Sequence, residues 1–431
     1  MYPIQCSNDR DTLREMLAHA RRHSRYYART LAHLAEDVCE LSSLPLLDTS
    51  SFWHIEGDPA DWHALTAPLD DAYVFRSGGS TGQGKLSICS RPEWQRICAR
   101  YGAAIGTRLA PGDRVANLFF SGNLYASHLF IHAALAYVPF AISEYPFAGH
   151  AELDTLAQGL RLYAVNVLAG VPTHLLTLAS YLQRQGMTLP AVRVILYGGD
   201  SLFADSLPLL SQVFPNAACH SIGYASVDLG VLGASHPDCG PGEHRCFDGE
   251  TLLEIIDEAT GLPIEATGRG GLLVATSLSR RLTPLIRCPT GDLAAWCEPP
   301  GAARKFVLAG RSTLSHQVRV GGYAFLIPAV IEKCIAQALG HGAPWQMLLS
   351  RAAGADHVVI RIAAPASDTA HHLRAELIGQ HPGVAALVQA RQLVIDIAWC
   401  SPGDLELDPR TGKLRRIVDR RDRGAQPGEH A

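Results

Sequence analysis

Ten consecutive residues, Arg76-Ser-Gly-Gly-Ser-Thr-Gly-Gln-Gly-Lys85, constrain this chain more than any other stretch. Within them stand four glycines, three hydroxyl side chains and a terminal lysine. Glycine lets backbone N–H groups turn inward and approach a ligand closely. Successive inward N–H groups form a nest for an anion. Hydroxyls add donors, and a lysine adds a mobile point charge suited to phosphate. Asp71-Ala-Tyr-Val-Phe75 before the loop and Leu86-Ser-Ile-Cys-Ser90 after it read as short strands, and Pro92-Glu-Trp opens a helix. The loop therefore joins two extended runs. It is not the P-loop of nucleotide hydrolases, in which Ser or Thr follows the lysine and a helix begins at once; here Leu86 follows Lys85.

At 431 residues the chain exceeds one compact core, and two or more domains are expected. Hydrophobic residues at 47% and charged ones at 18% fit a globular enzyme. A net charge of −4 gives no basic field for nucleic acid or anionic lipid. No apolar run has the length of a membrane span, and the N-terminus lacks a signal-peptide core. Eleven scattered cysteines, an odd number, suggest reduced thiols and a cytoplasmic location.

Periodicity predicts a helix over 9–42, then an aperiodic passage over 44–69. From 93 to 197 helices and strands alternate: helices over 93–108, 126–137, 153–162 and 172–185, strands over 114–120, 138–142, 164–169 and 192–197. That alternation predicts a layered α/β domain with parallel strands, whose ligands sit at the carboxyl ends of the strands. Residues 218–222 are a further extended run, and from Thr251 the pattern becomes strand-rich, with strands over 252–256, 271–275 and 283–287. After Phe306-Val-Leu-Ala-Gly-Arg311, two helices (328–339, 370–379) and three strands (346–350, 357–363, 393–398) read as a small α+β domain. The fold class expected is α/β: a large layered N-terminal α/β domain over 1–309 and a smaller, mobile α+β C-terminal domain over 310–431.

The order Ser-Gly-Gly-Ser-Thr-Gly-x-Gly-Lys resembles the signature loop of the adenylate-forming superfamily of acyl-CoA synthetases, adenylation domains and luciferases. It departs at Gly78, where Ser is common, and at Gly84, where Pro is common. Three further segments follow in the family's order. Gly198-Gly199-Asp200 resembles the turn that lies along adenine. Thr290-Gly-Asp292 is similar to the motif whose Asp binds both ribose hydroxyls, a task for a group that accepts from two donors. Gly310-Arg311 resembles the start of the C-terminal domain. Leu196-Tyr-Gly-Gly-Asp200, Leu253-Glu-Ile-Ile-Asp257, Pro284-Leu-Ile-Arg287 and Arg410-Thr-Gly-Lys413 look like the phenylacetate–CoA ligase branch. The resemblance covers roughly residues 70–420.

The resemblance implies a two-step reaction using ATP and Mg²⁺. A carboxylate attacks the α-phosphate to give an acyl-adenylate, and a thiol then takes the acyl group. Lys413 matches the catalytic lysine that reaches the carboxylate and α-phosphate, where it stabilises developing charge. Ser77, Gly79, Ser80, Thr81, Gly82 and Lys85 would hold the β- and γ-phosphates. Gly198, Gly199, Asp200, Ile222, Gly223, Tyr224, Asp292 and Arg311 complete the nucleotide site, while Ser121, Gly122, Asn123, Tyr125, Tyr197 and Ser226 are placed at the acid pocket. The substrate expected is an aromatic or other planar carboxylic acid. The acceptor is coenzyme A, a carrier protein in trans, or a partner reductase, in a biosynthetic setting. Oligomeric state stays open, a homodimer included.

Two departures bear on this reading. Ile222-Gly-Tyr-Ala-Ser226 stands where the family has Tyr-Gly-x-Thr/Ser-Glu, so Ser226 replaces the Glu that holds Mg²⁺; Asp228, two residues on, is the candidate replacement. Thr313 stands where the hinge Asp is usual. A nucleotide-binding protein without ligase turnover is the alternative these raise, and retention of Asp292 and Lys413 argues against it. A structural partner in a biosynthetic complex is a further alternative. Separately, His236, Cys239, His244 and Cys246 are zinc-ligand types within eleven residues, enough for a closed tetrahedral structural site, although the spacing matches no standard finger.

Overall fold

The structure, a computed structural model, describes residues 7–77, 85–200, 202, 206–226, 228–240, 242–311, 318–320, 324–352, 355–381, 383–409 and 411–421. Its centre is a five-stranded parallel sheet. The spatial order is Ser143–Tyr145, Arg114–Asn117, Val167–Gly170, Val194–Tyr197, Ala218–Ser221. The inner strands are apolar on both faces because helices cover both. On one face Val115, Val167, Ala169, Val194 and Leu196 pack with Phe119, Tyr125 and Ile131. On the other, Ala116, Leu168 and Ile195 pack against Leu156 and Leu160 of helix Leu153–Leu162 and Leu175 and Leu178 of helix Pro172–Arg184. Helix Arg91–Gly106 begins with a reciprocal Ser90–Glu93 capping box and an early proline, the signal read from Pro92-Glu-Trp.

A seven-stranded antiparallel sheet follows, in the order Thr251–Ile256, Gly270–Ser277, Cys288–Trp296, Lys305–Arg311, Glu243–Cys246, Gly230–Ala234, Gly223–Ser226. A third sheet has four strands, Leu393–Trp399, Ala355–Ile362, Trp345–Ala352 and Ile417–Asp419. With helices Pro328–Leu339 and Ala370–Gln380 it encloses a core of its own, including Val320, Ile331, Trp345, Met347, Ile360, Leu373 and Ile395. A large N-terminal α/β body and a small C-terminal α+β body are therefore present, as the sequence predicts.

Three expected elements differ. The single helix over 9–42 is two, Ser7–His23 and Arg25–Thr30. Ser24 leaves helical geometry at φ −102°, ψ 123° and its side chain accepts from Tyr27 N–H, so one helix stops and the next is capped. The apolar run 138–142 is a turn rather than a strand: Pro139 packs against Gly106, and the chain pairs only afterwards, at the more polar Ser143–Tyr145. Thr283–Arg287 is no strand either. Its apolar residues Leu285 and Ile286 are buried in the core under helix Arg25–Thr30, where the Tyr27 hydroxyl donates to Pro284 O at 2.9 Å. Arg287 closes that segment at φ +47° and forms a buried ion pair with Glu254 at 3.0 Å.

Candidate active site

The Gly-rich segment spans a hairpin. Strands Ala72–Arg76 and Leu86–Ser90 pair antiparallel, and Ser77 and Lys85 close the base. Ser77 N–H donates to Lys85 O at 2.8 Å, and Lys85 N–H donates to Ser77 Oγ at 2.9 Å. Gly79, Ser80, Thr81 and Gly82 lie outside the described residues. Lys85 Nζ sits 4.1 Å from the centroid of the Trp53 ring, whose Nε1–H donates to Leu86 O at 2.9 Å. A fixed aromatic platform thus supports the lysine at the loop's mouth.

Every other expected nucleotide segment among the described residues lies near the carboxyl ends of the parallel strands or on the adjoining antiparallel sheet. Gly198 and Gly199 follow strand Val194–Tyr197, with Gly199 at φ +82°; Asp200 is exposed beside them. A methyl group on Gly198 would touch Ile222 Cδ1 at 3.6 Å, so Ile222 backs this turn with an aliphatic face. Gly223, at φ +139°, has no room for a side chain: a Cβ would meet the Tyr101 ring at 2.9 Å. Ser221 Oγ accepts from Gly223 N–H at 3.1 Å and lies 3.3 Å from His244 Nε2, which locks the turn. Tyr224 runs from there toward Asp292, donating its hydroxyl to the carboxylate. Asp292 N–H donates to Thr290 Oγ1 at 3.1 Å, and Asp292 pairs in register with Arg311.

Lys413 comes from a tight C-terminal turn. Leu407 and Leu414 bridge, and Asp408 N–H donates to Lys413 O and Gly412 N–H to Asp408 O, both at 2.8 Å. This turn docks on the parallel sheet: a Cβ built on Gly199 would lie 2.9 Å from Lys413 Cε and 3.2 Å from Nζ. The lysine ammonium therefore hangs directly over the Gly198–Gly199 turn.

Of the acid-pocket candidates, Ser121, Gly122, Asn123 and Tyr125 form one tight turn. Asn123 and Leu124 adopt φ of +46° and +64°, and Tyr125 N–H closes the turn on Gly122 O at 2.9 Å. Arg76 N–H donates to Leu124 O at 2.8 Å, which couples this turn to the strand entering the Gly-rich loop. Tyr125 is buried with Phe119, Phe120 and Ile222. Tyr197 does not join them; it packs with the layer on the opposite face of the sheet, where burial raises its phenol pKa. Phe120 and Thr173, which the sequence does not single out, touch the Lys413 turn: a Cβ on Gly412 would overlap the Phe120 ring, and Thr173 Oγ1 donates to Gly412 O at 2.5 Å.

Ser226, expected at the acid pocket, donates its hydroxyl to Asp228, the candidate for Mg²⁺. Burial raises the pKa of the Cys288 thiol, with the charge of Asp228 adding to this and that of Lys85 opposing it. Mg²⁺ commonly keeps several waters and takes one or two carboxylates plus phosphate oxygens. One carboxylate with a hydroxyl beside it is a donor set compatible with that demand.

The expected zinc site does not form. Among the described residues no group of three or more His, Cys, Asp or Glu is arranged to hold a metal. His244 is buried between Tyr224 and Phe306, with ring centroids at 6.2 and 5.7 Å. Cys246 packs into the apolar core beside Trp296 and Phe306. Cys239 stays near the surface among Asp238, Lys305 and Arg245. Adjacent positions along a strand and its preceding turn point to different environments, so sequence proximity does not bring these ligands together. The ten cysteines among the described residues are free thiols. No helix among those residues is long and apolar enough to cross a membrane.

No family model matches the chain. It is 25% identical over 319 residues to indoleacetate–lysine synthetase of Pseudomonas savastanoi, covering 73% of this chain and 75% of that protein. It is 26% identical over 255 residues to phenylacetate–coenzyme A ligase of Pseudomonas putida, covering 56% of this chain and 54% of that one, so it spans only about half of this second relative. Among solved structures, 2-hydroxyisobutyryl-CoA ligase in its postadenylation state matches with a TM-score of 0.68 at 18% identity, covering 96% of this chain and 89% of that one. ATP-bound MatB of Rhodopseudomonas palustris matches at 0.53 and 17% identity, covering 83% and 67%. The fold is that of the adenylate-forming ligases. The two sequence relatives, at 25% and 26% identity, point the same way.

Proposed function

We propose that the protein adenylates an aromatic carboxylic acid of the arylacetate type and passes the acyl group to coenzyme A. The observation that carries the reading is Lys413 lying over Gly199 at the carboxyl ends of the parallel strands. There an ammonium can neutralise charge on both the attacking carboxylate and the α-phosphate. A carboxylate oxygen forms the new bond to the α-phosphorus, the bond from that phosphorus to the bridging oxygen breaks, and pyrophosphate leaves. Asp292, held by Tyr224, is the group for the ribose, and the Gly198–Gly199 turn backed by Ile222 is the bed for adenine. Lys85 with Ser77 would take the β- and γ-phosphates, and Mg²⁺ would sit by Asp228. The arylacetate names of both relatives favour a planar acid.

Free thiols among the described residues accord with a cytoplasmic setting. A carrier-protein thiol is an alternative acceptor. An amine is another, favoured by the relative named for joining indoleacetate to lysine. Exchange of labelled pyrophosphate into ATP, run over arylacetates, benzoates and short aliphatic acids, tests the first step. Exchange is expected with arylacetates; none with any acid would overturn the reading. Adding coenzyme A or free amines to the best acid then identifies the acceptor by product mass.

A further inference from the structure

The Lys413 turn has a seat on the large body made by residues with no part in binding nucleotide. Phe120 lies between two glycines. A Cβ at either Gly149 or Gly412 would overlap its ring, so both backbones rest against the aromatic faces with no side chain interposed. The edges of Phe120 meet His150 and His174 in T-shaped contacts with centroids 4.8 and 5.5 Å apart. His174 is buried and its pKa is lowered to about 4, so the ring behind Phe120 is an uncharged wall at neutral pH. Thr173, at the start of helix Pro172–Arg184, donates its hydroxyl to Gly412 O at 2.5 Å. The same glycine is at φ +65°, a conformation L side chains rarely adopt. The next residue is Lys413, whose side chain reaches Gly199.

From this juxtaposition we propose that Thr173 and Phe120 are positioning residues that seat the Lys413 turn for the adenylation half-reaction, with glycine at 412 because the seat admits no Cβ. The proposal rests on the adenylation reading above. The seat holds the turn through the Thr173 hydroxyl and through the fit of the Phe120 ring against Gly412. Losing that one hydrogen bond lowers the fraction of molecules with Lys413 in place, and leaves the nucleotide contacts of Asp292 and the Gly-rich loop intact. The effect therefore falls on kcat of adenylation and not on the KM for ATP. It does not extend to use of acyl-adenylate already made, because that step has no need of Lys413 at Gly199.

The test compares wild type with Thr173→Val, Thr173→Ser and Gly412→Ala. Thr173→Val is isosteric and is expected to lower kcat of pyrophosphate exchange roughly three- to tenfold, the weight of one hydrogen bond. KM for ATP and consumption of synthetic acyl-adenylate should stay at wild-type values. Thr173→Ser keeps the hydroxyl and should restore exchange. Gly412→Ala should lose far more, and Phe120→Ala placed on Gly412→Ala should recover part of the loss by making room. Wild-type exchange in Thr173→Val, or an equal fall in both half-reactions, overturns the seat. If the wild-type protein shows no exchange with any acid, the adenylation reading fails and the seat is judged by hydrogen–deuterium exchange. Amides 411–414 should then exchange faster in Thr173→Val than in wild type, and equal rates would overturn it.

Discussion

Tyr224 donates its hydroxyl to the carboxylate of Asp292, joining the strand that leaves the parallel sheet to the centre of the antiparallel one. The bond fixes the carboxylate at the border of the two sheets. In the ribose-binding role we propose for it, Asp292 gains from being held before the ligand arrives, because less ordering remains to be done on binding. Asp292→Ala should lower nucleotide affinity tenfold or more, since hydrogen bonds to a charged group contribute about 1.5–3 kcal/mol each. Tyr224→Phe, which only loosens the carboxylate, should cost roughly three- to tenfold. Calorimetry with ATP measures both; equal affinity for Asp292→Ala would remove Asp292 from the site.

Lys413 separates chemistry from binding. Its ammonium lies over Gly199, and Lys85, which we propose for the distal phosphates, stands apart over Trp53. Lys413→Ala should therefore reduce pyrophosphate exchange by orders of magnitude and leave ATP binding nearly unchanged. Unaltered exchange in that variant would show that Lys413 has no catalytic part.

Trp53 is a residue whose contribution can be read by nucleotide affinity alone. The indole is anchored through Nε1 to Leu86 O and faces Lys85 Nζ. A cation over an indole face gains about 0.5–1 kcal/mol where exposed. Trp53→Leu frees Lys85 to sample other rotamers, and ATP should bind roughly three- to fivefold more weakly. Tighter binding would mean that the indole holds the lysine away from phosphate.

The parts of this site that were legible in the sequence are those whose chemistry needs particular residue types in a row. The Gly198-Gly199 turn and the turn carrying Lys413, which the structure brings together, stand out because backbone conformation and charge are both written locally. Helices Leu153–Leu162 and Pro328–Leu339 were legible to the residue, since an apolar stripe marks both and a proline opens the second. Thr173 and Phe120 were not, because a hydroxyl at a helix start and an apolar residue after a strand have ordinary local explanations. Their partner Gly412 is 239 residues from Thr173. The strand expected over 283–287 failed for a related reason: Leu285 and Ile286 are apolar because they fill the core beneath Tyr27, not because they pair. The four zinc-type residues failed because alternation along a strand sends His244 and Cys246 into apolar surroundings with no third ligand.

Ser226 and Asp228 make a prediction about metal. A serine hydroxyl is a weak Mg²⁺ ligand, whereas the carboxylate it bonds to is a good one. Asp228→Asn should shift the Mg²⁺ dependence of pyrophosphate exchange to higher concentration. Ser226→Glu should shift it lower, because two carboxylates side by side repel until a cation neutralises them. An unmoved curve for Asp228→Asn would assign Asp228 a purely structural part and leave the metal to phosphate and water.

Acid sensitivity follows from two histidines that no ligand explains. Burial lowers the pKa of His174 to about 4, with His150 adding to the effect, and burial lowers that of His244 to about 4 as well. In the unfolded chain each would titrate near the ordinary 6.5. Between those values the unfolded state binds more protons than the folded one, so the stability held above pH 6.5 is lost as pH falls toward about 4. A unit of pKa difference is worth about 1.36 kcal/mol, so each histidine accounts for roughly 3 kcal/mol across the window. His174→Met keeps an apolar partner for Phe120 and removes the titration. Its Tm should fall less steeply than that of wild type between about pH 6.5 and 4.5. The two curves should run parallel above that range. Parallel curves throughout would mean that His174 takes up its proton in the folded protein as readily as in the unfolded chain, and that the wall behind Phe120 is wet.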